Sequence, residues 1–276
     1  MNAHDLVYPT PAIHPPTAMG THPGALPWSA TRFVADWTEM SFVHFSLPPE
    51  VLAPHTSYPP DVRHGLAFVS LVFFRLGRMR PPGTGWPGRI LFRPISDHYF
   101  LNFRAYVRGP AGPGIEFLSE WIPNPLALRL GPLTYGLPYR FGDFRWTKNS
   151  EDDRGELNVS DRKGNSHLSL SLPTPTRPLA CARADSEADF LLERYVAYTR
   201  HRGVRRFFRV SHEPWRFART TVPPPCTDLV TREFPWFAEA KYHSAHFSPG
   251  VWNVRMSRPH KISERTSSSF IKPLSS

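Results

Sequence analysis

The stretch Leu101–Trp121 reads LNFRAYVRGPAGPGIEFLSEW. Side chains on a strand point alternately to opposite faces. From His98 to Val107 that alternation is clear. Tyr99, Leu101, Phe103, Ala105 and Val107 fall on one side; Phe100, Asn102, Arg104 and Tyr106 fall on the other. The run GPAGPG at Gly109–Gly114 is turn chemistry, since glycine frees the backbone and proline removes a donor. Ile115–Ile122 then returns as a second strand, with Glu116, Leu118, Glu120 and Ile122 on one face. The stretch therefore predicts a strand pair whose first member has one apolar face and one mixed face.

Working outward, period two continues to dominate. Leu66–Leu76 is nearly all apolar and suits a strand buried on both faces. Glu156–Ser160 and His167–Leu172 read as a hairpin with Lys163, Gly164 and Asn165 at its tip. Further strands are predicted at Arg206–Val210, Trp215–Val222, His243–Phe247 and Val251–Met256. One helix is predicted at about 187–202. Ser186 with Asp189 three residues later resembles a capping box, Arg200, His201 and Arg202 suit a helix C-terminus, and Gly203 suits the stop. Short helical pieces are expected at Pro49–Ala53 and Pro125–Leu130. The 32 prolines argue against a mostly helical chain. Residues 1–30 read as a disordered proline-rich leader and 261–276 as a disordered basic, serine-rich tail, leaving 31–260 as a single domain.

Composition limits the function classes. The 276 residues are 40% hydrophobic and 20% charged, which is ample for one core. The formal charge is +10, and only Lys148, Lys163, Lys241, Lys261 and Lys272 are lysines. A basic balance suggests nucleic acid or an anionic membrane as partner. No basic run is interleaved with a reading motif, so nucleic acid is not the expected partner. The longest apolar run is too short to span a membrane, and no membrane partner is expected. No secretory pattern opens the chain, and Cys181 and Cys226 form neither a disulfide framework nor a C-x-x-C pair. A reducing, cytoplasmic setting fits these features. The acidic loop Glu151, Asp152 and Asp153 matches no calcium-loop spacing. His243 and His246 are three apart, which on a regular strand places them on opposite faces. No metal or cofactor is therefore expected. Trp121, Trp215, Trp236 and Trp252 are expected in the core.

Several longer stretches together carry a resemblance. LNFRAYVRGPAGPGIEFLSEW, YGLPYRFG (Tyr135–Gly142), LPPEVLAPHTSYPPDVRHGLAFVSLVFFRL (Leu47–Leu76), FLLERYVAYTR (Phe190–Arg200), HEPWRF (His212–Phe217) and HFSPGVWNVRM (His246–Met256) resemble, in order, the YqjF-like family of unknown function. That family is grouped with the acetoacetate-decarboxylase-like superfamily. The resemblance implies a mainly β (α+β) fold, an antiparallel β-barrel with a few helices and a central cavity.

The decarboxylases carry a lysine in a pattern like G-aromatic-P-K-K that forms a Schiff base with a ketone. The matching stretch here is Gly136-Leu137-Pro138-Tyr139-Arg140, and neither tyrosine nor arginine makes that imine. Their upstream glutamate strand corresponds to the one holding Asn102 and Arg104. If the polar face of that strand lines a cavity, Arg104 would anchor a carboxylate or phosphate, with Asn102, Tyr106 and Tyr139 orienting it. Glu116 or Glu120 would pair with Arg104 when the site is empty. If the face is outward, the same residues are ordinary cross-strand ion pairs. Arg140 and His212 complete the ligand-binding candidates, with His212 also suited to cap a strand end. Three functions stay open: binding of a small anionic organic molecule, lysine-independent lyase chemistry on a keto or acyl acid, and nucleic-acid association.

Overall fold

The structure is a computed structural model describing residues 25–148, 155–164, 167–172, 178–222 and 224–263. Most of the expected leader and tail, the acidic loop and Asn165 of the hairpin tip lie outside the described residues. Where the described chain begins, Leu26 is already buried.

In chain order the strands are β1 (Thr31–Leu47), β2 (Ala67–Arg80), β3 (His98–Gly109), β4 (Gly112–Ile122), β5 (Tyr139–Phe141), β6 (Asp143–Lys148), β7 (Gly155–Ser160), β8 (His167–Leu172), β9 (Val196–His201), β10 (Val204–Ser211), β11 (Ala218–Thr220), β12 (Lys241–Ser257) and β13 (His260–Lys261). The helices are α1 (Pro49–Leu52), α2 (Gly85–Phe92), α3 (Pro125–Thr134), α4 (Glu187–Leu192) and α5 (Asp228–Thr231). The large sheet has the order β11-β12-β1-β2-β3-β4-β9-β10-β13, with β5 beside β4. β10 also pairs with β12, through Val210–Met256 and Ser211–Arg255. β6, β7 and β8 form a separate antiparallel sheet.

The fold is mainly β, as expected, but the large sheet is mixed rather than antiparallel. β4 runs parallel to both β5 and β9. A parallel neighbour needs a crossover connection. Here the chain leaves β4 through α3, forms the small sheet and α4, and only then returns as β9.

Both faces of the large sheet are buried. One packs Leu101, Phe103, Ala105 and Val107 of β3 against Leu157, Val159, Leu168 and Leu170 of the small sheet. The other gathers Phe42, Val72, Tyr106, Ile115, Ala197, Phe208 and Val254, one from each of β1, β2, β3, β4, β9, β10 and β12. Leu191 and Leu192 of α4 cover this second cluster.

Several local expectations are corrected. The helix expected to run from 187 to 202 stops at Leu192. Its cap is real, with Ser186 Oγ accepting from Asp189 N at 3.1 Å. Beyond it the aromatic and β-branched run from Tyr195 to Thr199 favours a strand, and Val196 and Tyr198 join one cluster while Ala197 joins the other. Gly203 is not a helix stop but half of a two-residue hairpin turn: His201 pairs with Val204, and both Arg202 (φ 49°) and Gly203 (φ 77°) are left-handed. The two late strands are one strand, β12. The stretch Trp215–Val222 keeps only β11 as strand. Trp121 and Trp215 are core and Trp236 packs against it, but Trp252 is exposed.

Gly250 is what lets β12 run unbroken past β1. Its φ is 111°, and a Cβ there would sit 2.1 Å from the carbonyl oxygen of Trp37. A Cβ on Gly203 meets nothing within 4 Å. Gly203→Ala should therefore cost only the left-handed conformational penalty, about 1 kcal/mol. Gly250→Ala should cost at least twice as much, measured by urea unfolding of the two variants.

Candidate functional site

β3 builds the site because its second face points among the seven strands. Phe100, Asn102, Arg104 and Tyr106 follow one another along it. Asn102 is buried and Arg104 half-buried, so the outward, wet-surface reading of this face does not hold.

Tyr106 anchors a buried chain of hydrogen bonds. Its hydroxyl donates to the Leu191 carbonyl at 2.7 Å. Ser70 Oγ lies 2.7 Å from that hydroxyl, and His44 Nδ1 lies 2.7 Å from Ser70 Oγ. With the tyrosine proton committed, Ser70 donates to Tyr106 and His44 Nδ1–H donates to Ser70. That leaves His44 Nε2 as a bare acceptor, and no partner reaches it among the described residues. Burial above all, with His246 and Arg104 nearby, holds His44 well below its ordinary pKa, so it is neutral. The rings of His44 and His246 meet edge-on at 5.2 Å.

Arg104 sits beside this chain. Its guanidinium carbon lies 5.7 Å from the Phe42 ring centroid and 5.8 Å from that of Tyr106. Nη2 makes a long 3.5 Å contact to the Leu191 carbonyl. Nε is buried without a partner. Neither Glu116 nor Glu120 pairs with it, and among the described residues no other carboxylate does. The nearby Asp61 is already shared between Arg194 at 2.8 Å and Arg108 at 2.7 Å. Arg194, close enough to Arg104 for their charges to repel, thus has a carboxylate partner, while Arg104 has none among the described residues.

The expected partners fail because of a bulge. The β3–β4 register shifts between Phe103 and Arg104, so Ala105 faces Glu116 while Asn102 faces Glu120. One extra residue reverses the pleat, and the two glutamates lie on opposite faces. Glu116 accepts from Ser57 N at 2.7 Å and Ser57 Oγ at 2.6 Å. Glu120 stays on the inner face beside Asn102, and β5 places Tyr139 next to it. Asn102 Oδ1 and Glu120 Oε2 are both buried without hydrogen-bond partners among the described residues. Burial alone pushes Glu120 well above the usual carboxylate range, so it is a neutral acid. Burial, then Glu120 and Tyr135, push Tyr139 up as well.

Asn102, Arg104, Tyr106, Glu120 and Tyr139 are therefore brought to one face. Glu116 is not. Arg140 points the other way, half-exposed and ion-paired with Glu233. His212 follows β10, its ring tilted against Trp215 at 4.5 Å and Tyr195 at 5.0 Å, with Nδ1 2.7 Å from the Glu213 carbonyl oxygen. His44 and Ser70 were missed by sequence reasoning, and His246 was weighed there only as a metal ligand beside His243. Ser70 had a signal, a lone hydroxyl inside the apolar run Leu66–Leu76; His44 had none. A second bulge, where β1 shifts between His44 and Phe45, also sets His243 against Phe68 at 5.2 Å, so it does not simply oppose His246.

One group of donors could hold a metal. His167, Cys226 and Asp228 offer ligand atoms within 4.8 Å of one another, pinned by Ser169 N donating to the Cys226 carbonyl. Its donors come from segments far apart in sequence, which spacing patterns cannot reveal.

Two pH effects follow. Burial, then Arg219, pulls His246 from 6.5 to about 4, and burial pulls His98 to about 4. The unfolded chain binds protons below 6.5 while the folded chain does not, so stability should fall as pH drops from 6.5 toward 4. His246→Gln should flatten that slope in pH-dependent thermal melts. Glu120 acts in the other direction. Above its ordinary 4.5 the unfolded carboxyl ionises while the buried one resists, so its contribution is lost as pH rises. Glu120→Gln should melt above the native chain at mildly alkaline pH, and the gain should vanish below 4.5.

The comparisons agree with this architecture. An acetoacetate-decarboxylase-like enzyme from Sphingomonas wittichii RW1 matches with a TM-score of 0.56 at 13% identity, covering 90% of this chain and 99% of that one. The acetoacetate decarboxylase of Legionella pneumophila matches at 0.52 and 10%, covering 83% and 87%. The enduracididine biosynthesis enzyme MppR, complexed with pyruvate, matches at 0.55 and 13%, covering 85% and 91%. These likenesses show a shared fold. The uncharacterized protein YqjF of Bacillus subtilis (strain 168) is 27% identical over 186 residues, 65% of this chain and 72% of the relative. DUF2071, described as an uncharacterized conserved protein, matches residues 34–252, which contain every residue of the candidate site. The chain belongs to the DUF2071 family, on the fold of the acetoacetate-decarboxylase-like proteins.

Proposed function

We propose that this protein binds a small organic anion on the inner face of a closed sheet, without Schiff-base chemistry. The pairing of β10 with β12 joins the two ends of the run β12-β1-β2-β3-β4-β9-β10, which supports reading the sheet as a barrel. The observation that carries the proposal is Arg104. Its guanidinium is turned toward Phe42 and Tyr106 and, among the described residues, lacks a carboxylate and keeps Nε unpartnered. A carboxylate ligand would supply the missing bidentate acceptor. Glu120, as a neutral acid, and Asn102 offer hydrogen bonds further along the same face. The pyruvate complex of the structural neighbour MppR supports a ligand of this size and charge.

Among the described residues no lysine side chain lies on this face to form an imine. Tyr139 stands where the decarboxylase pattern has its lysine, and the described side chains of Lys163, Lys241 and Lys261 are exposed. A lysine-independent lyase is the second reading, favoured by one feature: a buried neutral acid, Glu120, shares the face with Arg104. Glu120 would then protonate the carbon from which carbon dioxide departs, and Glu120→Gln would abolish turnover while preserving binding.

The test is a thermal-shift screen against keto acids, acyl acids and nucleotides. A ligand at a hundredfold excess over its Kd stabilises by about 2.7 kcal/mol. Arg104→Met should abolish the shift given by any anionic hit, and Arg104→Lys should retain part of it. Borohydride with acetoacetate or pyruvate should trap no adduct. A shift that survives Arg104→Met, or a stoichiometric reduced lysine adduct, would sink the proposal.

A further inference from the structure

A different part of the surface combines exposed apolar side chains with uncompensated positive charge. Leu91 is 74% exposed, Trp86 71%, Leu133 68% and Ile90 62%. Large apolar groups so far out of the core, gathered on two short helices, mark an interaction surface. Leu126 and Leu130 of α3 extend it.

The two helices form one face. The 3-10 turn Arg93–Ile95 follows α2, and Asn124 Nδ2, at the cap of α3, donates to the Pro94 carbonyl at 2.8 Å. Phe33 touches the C-terminal ends of both helices, its ring centroid 5.4 Å from Phe92 and 6.2 Å from Tyr135. At the C-terminal end of α3 lies a cleft of about 390 Å³ lined by Arg32, Phe33, Thr134, Tyr135, Arg258 and Pro259.

Charge identifies the partner. Residues 80–96 and 123–142 contain no aspartate or glutamate. Arg89, Arg93 and Arg129 are exposed among the apolar side chains, and Arg32 and Arg258 border the cleft. A second copy of the chain would bring arginine against arginine with no carboxylate on either segment to answer it. An anionic lipid surface answers both halves of the pattern: headgroups take the guanidiniums, and the acyl boundary takes Leu91, Leu133 and Ile90. Trp86 has the amphipathic ring favoured at that depth. Helices of eight and ten residues lie on such a surface and do not span it.

We propose that the α2–α3 face docks this protein peripherally on anionic membranes. The test is co-sedimentation of the full chain with vesicles of equal parts phosphatidylcholine and phosphatidylserine, against phosphatidylcholine alone. The chain should pellet with the anionic vesicles and not with the neutral ones. The combined variant Trp86→Ser, Leu91→Ser, Leu133→Ser and the combined variant Arg89→Gln, Arg93→Gln, Arg129→Gln should each weaken binding at least tenfold. Both should melt like the native chain, because every altered side chain is exposed. The proposal is overturned if the native chain stays in the supernatant, if it binds both vesicles equally, or if either variant binds like the native chain. A concentration-dependent dimer lost in the serine variant would equally overturn it, assigning the face to a second copy.

Discussion

Burial of β3 on both faces is the constraint on which the rest depends. A strand with one wet face can leave polar side chains to water; β3 cannot. Its outer face is satisfied by the small sheet and its inner face by the other six strands of the same sheet. Every polar atom turned inward must therefore find a partner inside or go without. Tyr106 finds Leu191, and through Ser70 it also orients His44. Among the described residues Arg104 Nε, Asn102 Oδ1 and Glu120 Oε2 go without, and that contrast separates the groups that hold the fold from those left unpaired.

Electrostatics sharpens the same contrast. Burial neutralises the groups that can lose charge: Glu120 keeps its proton, while His44 and His246 do without one. An arginine has no such escape, because its guanidinium stays protonated. Arg104 thus keeps a permanent charge beside neutral hydrogen-bonding groups, whereas the neighbouring Arg194 has its charge answered by Asp61.

Local alternation made much of the fold legible. The apolar run of β2, the two faces of β3, the small hairpin and the placement of Asn102, Arg104 and Tyr106 all follow from a two-residue period. What escaped depends on partners distant in sequence. The bulge after Phe103 turns Glu116 away, and a one-residue slip in the pairing with β4 leaves no trace in β3 itself. The parallel pairing of β9 depends on where a long crossover returns. The overlong helix arose because Arg202-Gly203 fits a helix end and a hairpin turn equally well. β1 was overlooked although it is 17 residues long, since its burial pattern departs from simple alternation.

The pairing of β1 with β12 also shapes how the molecule comes into being. Thr31 lies opposite Ser257, so β1 waits for a strand made far downstream of it. During synthesis the free edge of β1, with Phe42 and Val43 beside it, has only β2 to cover one side. Contacts this far apart in sequence close slowly, because the loop between them must first be confined. The nascent chain therefore carries an open sheet edge until β12 has been made, and its yield in the cell depends on what shields that edge meanwhile.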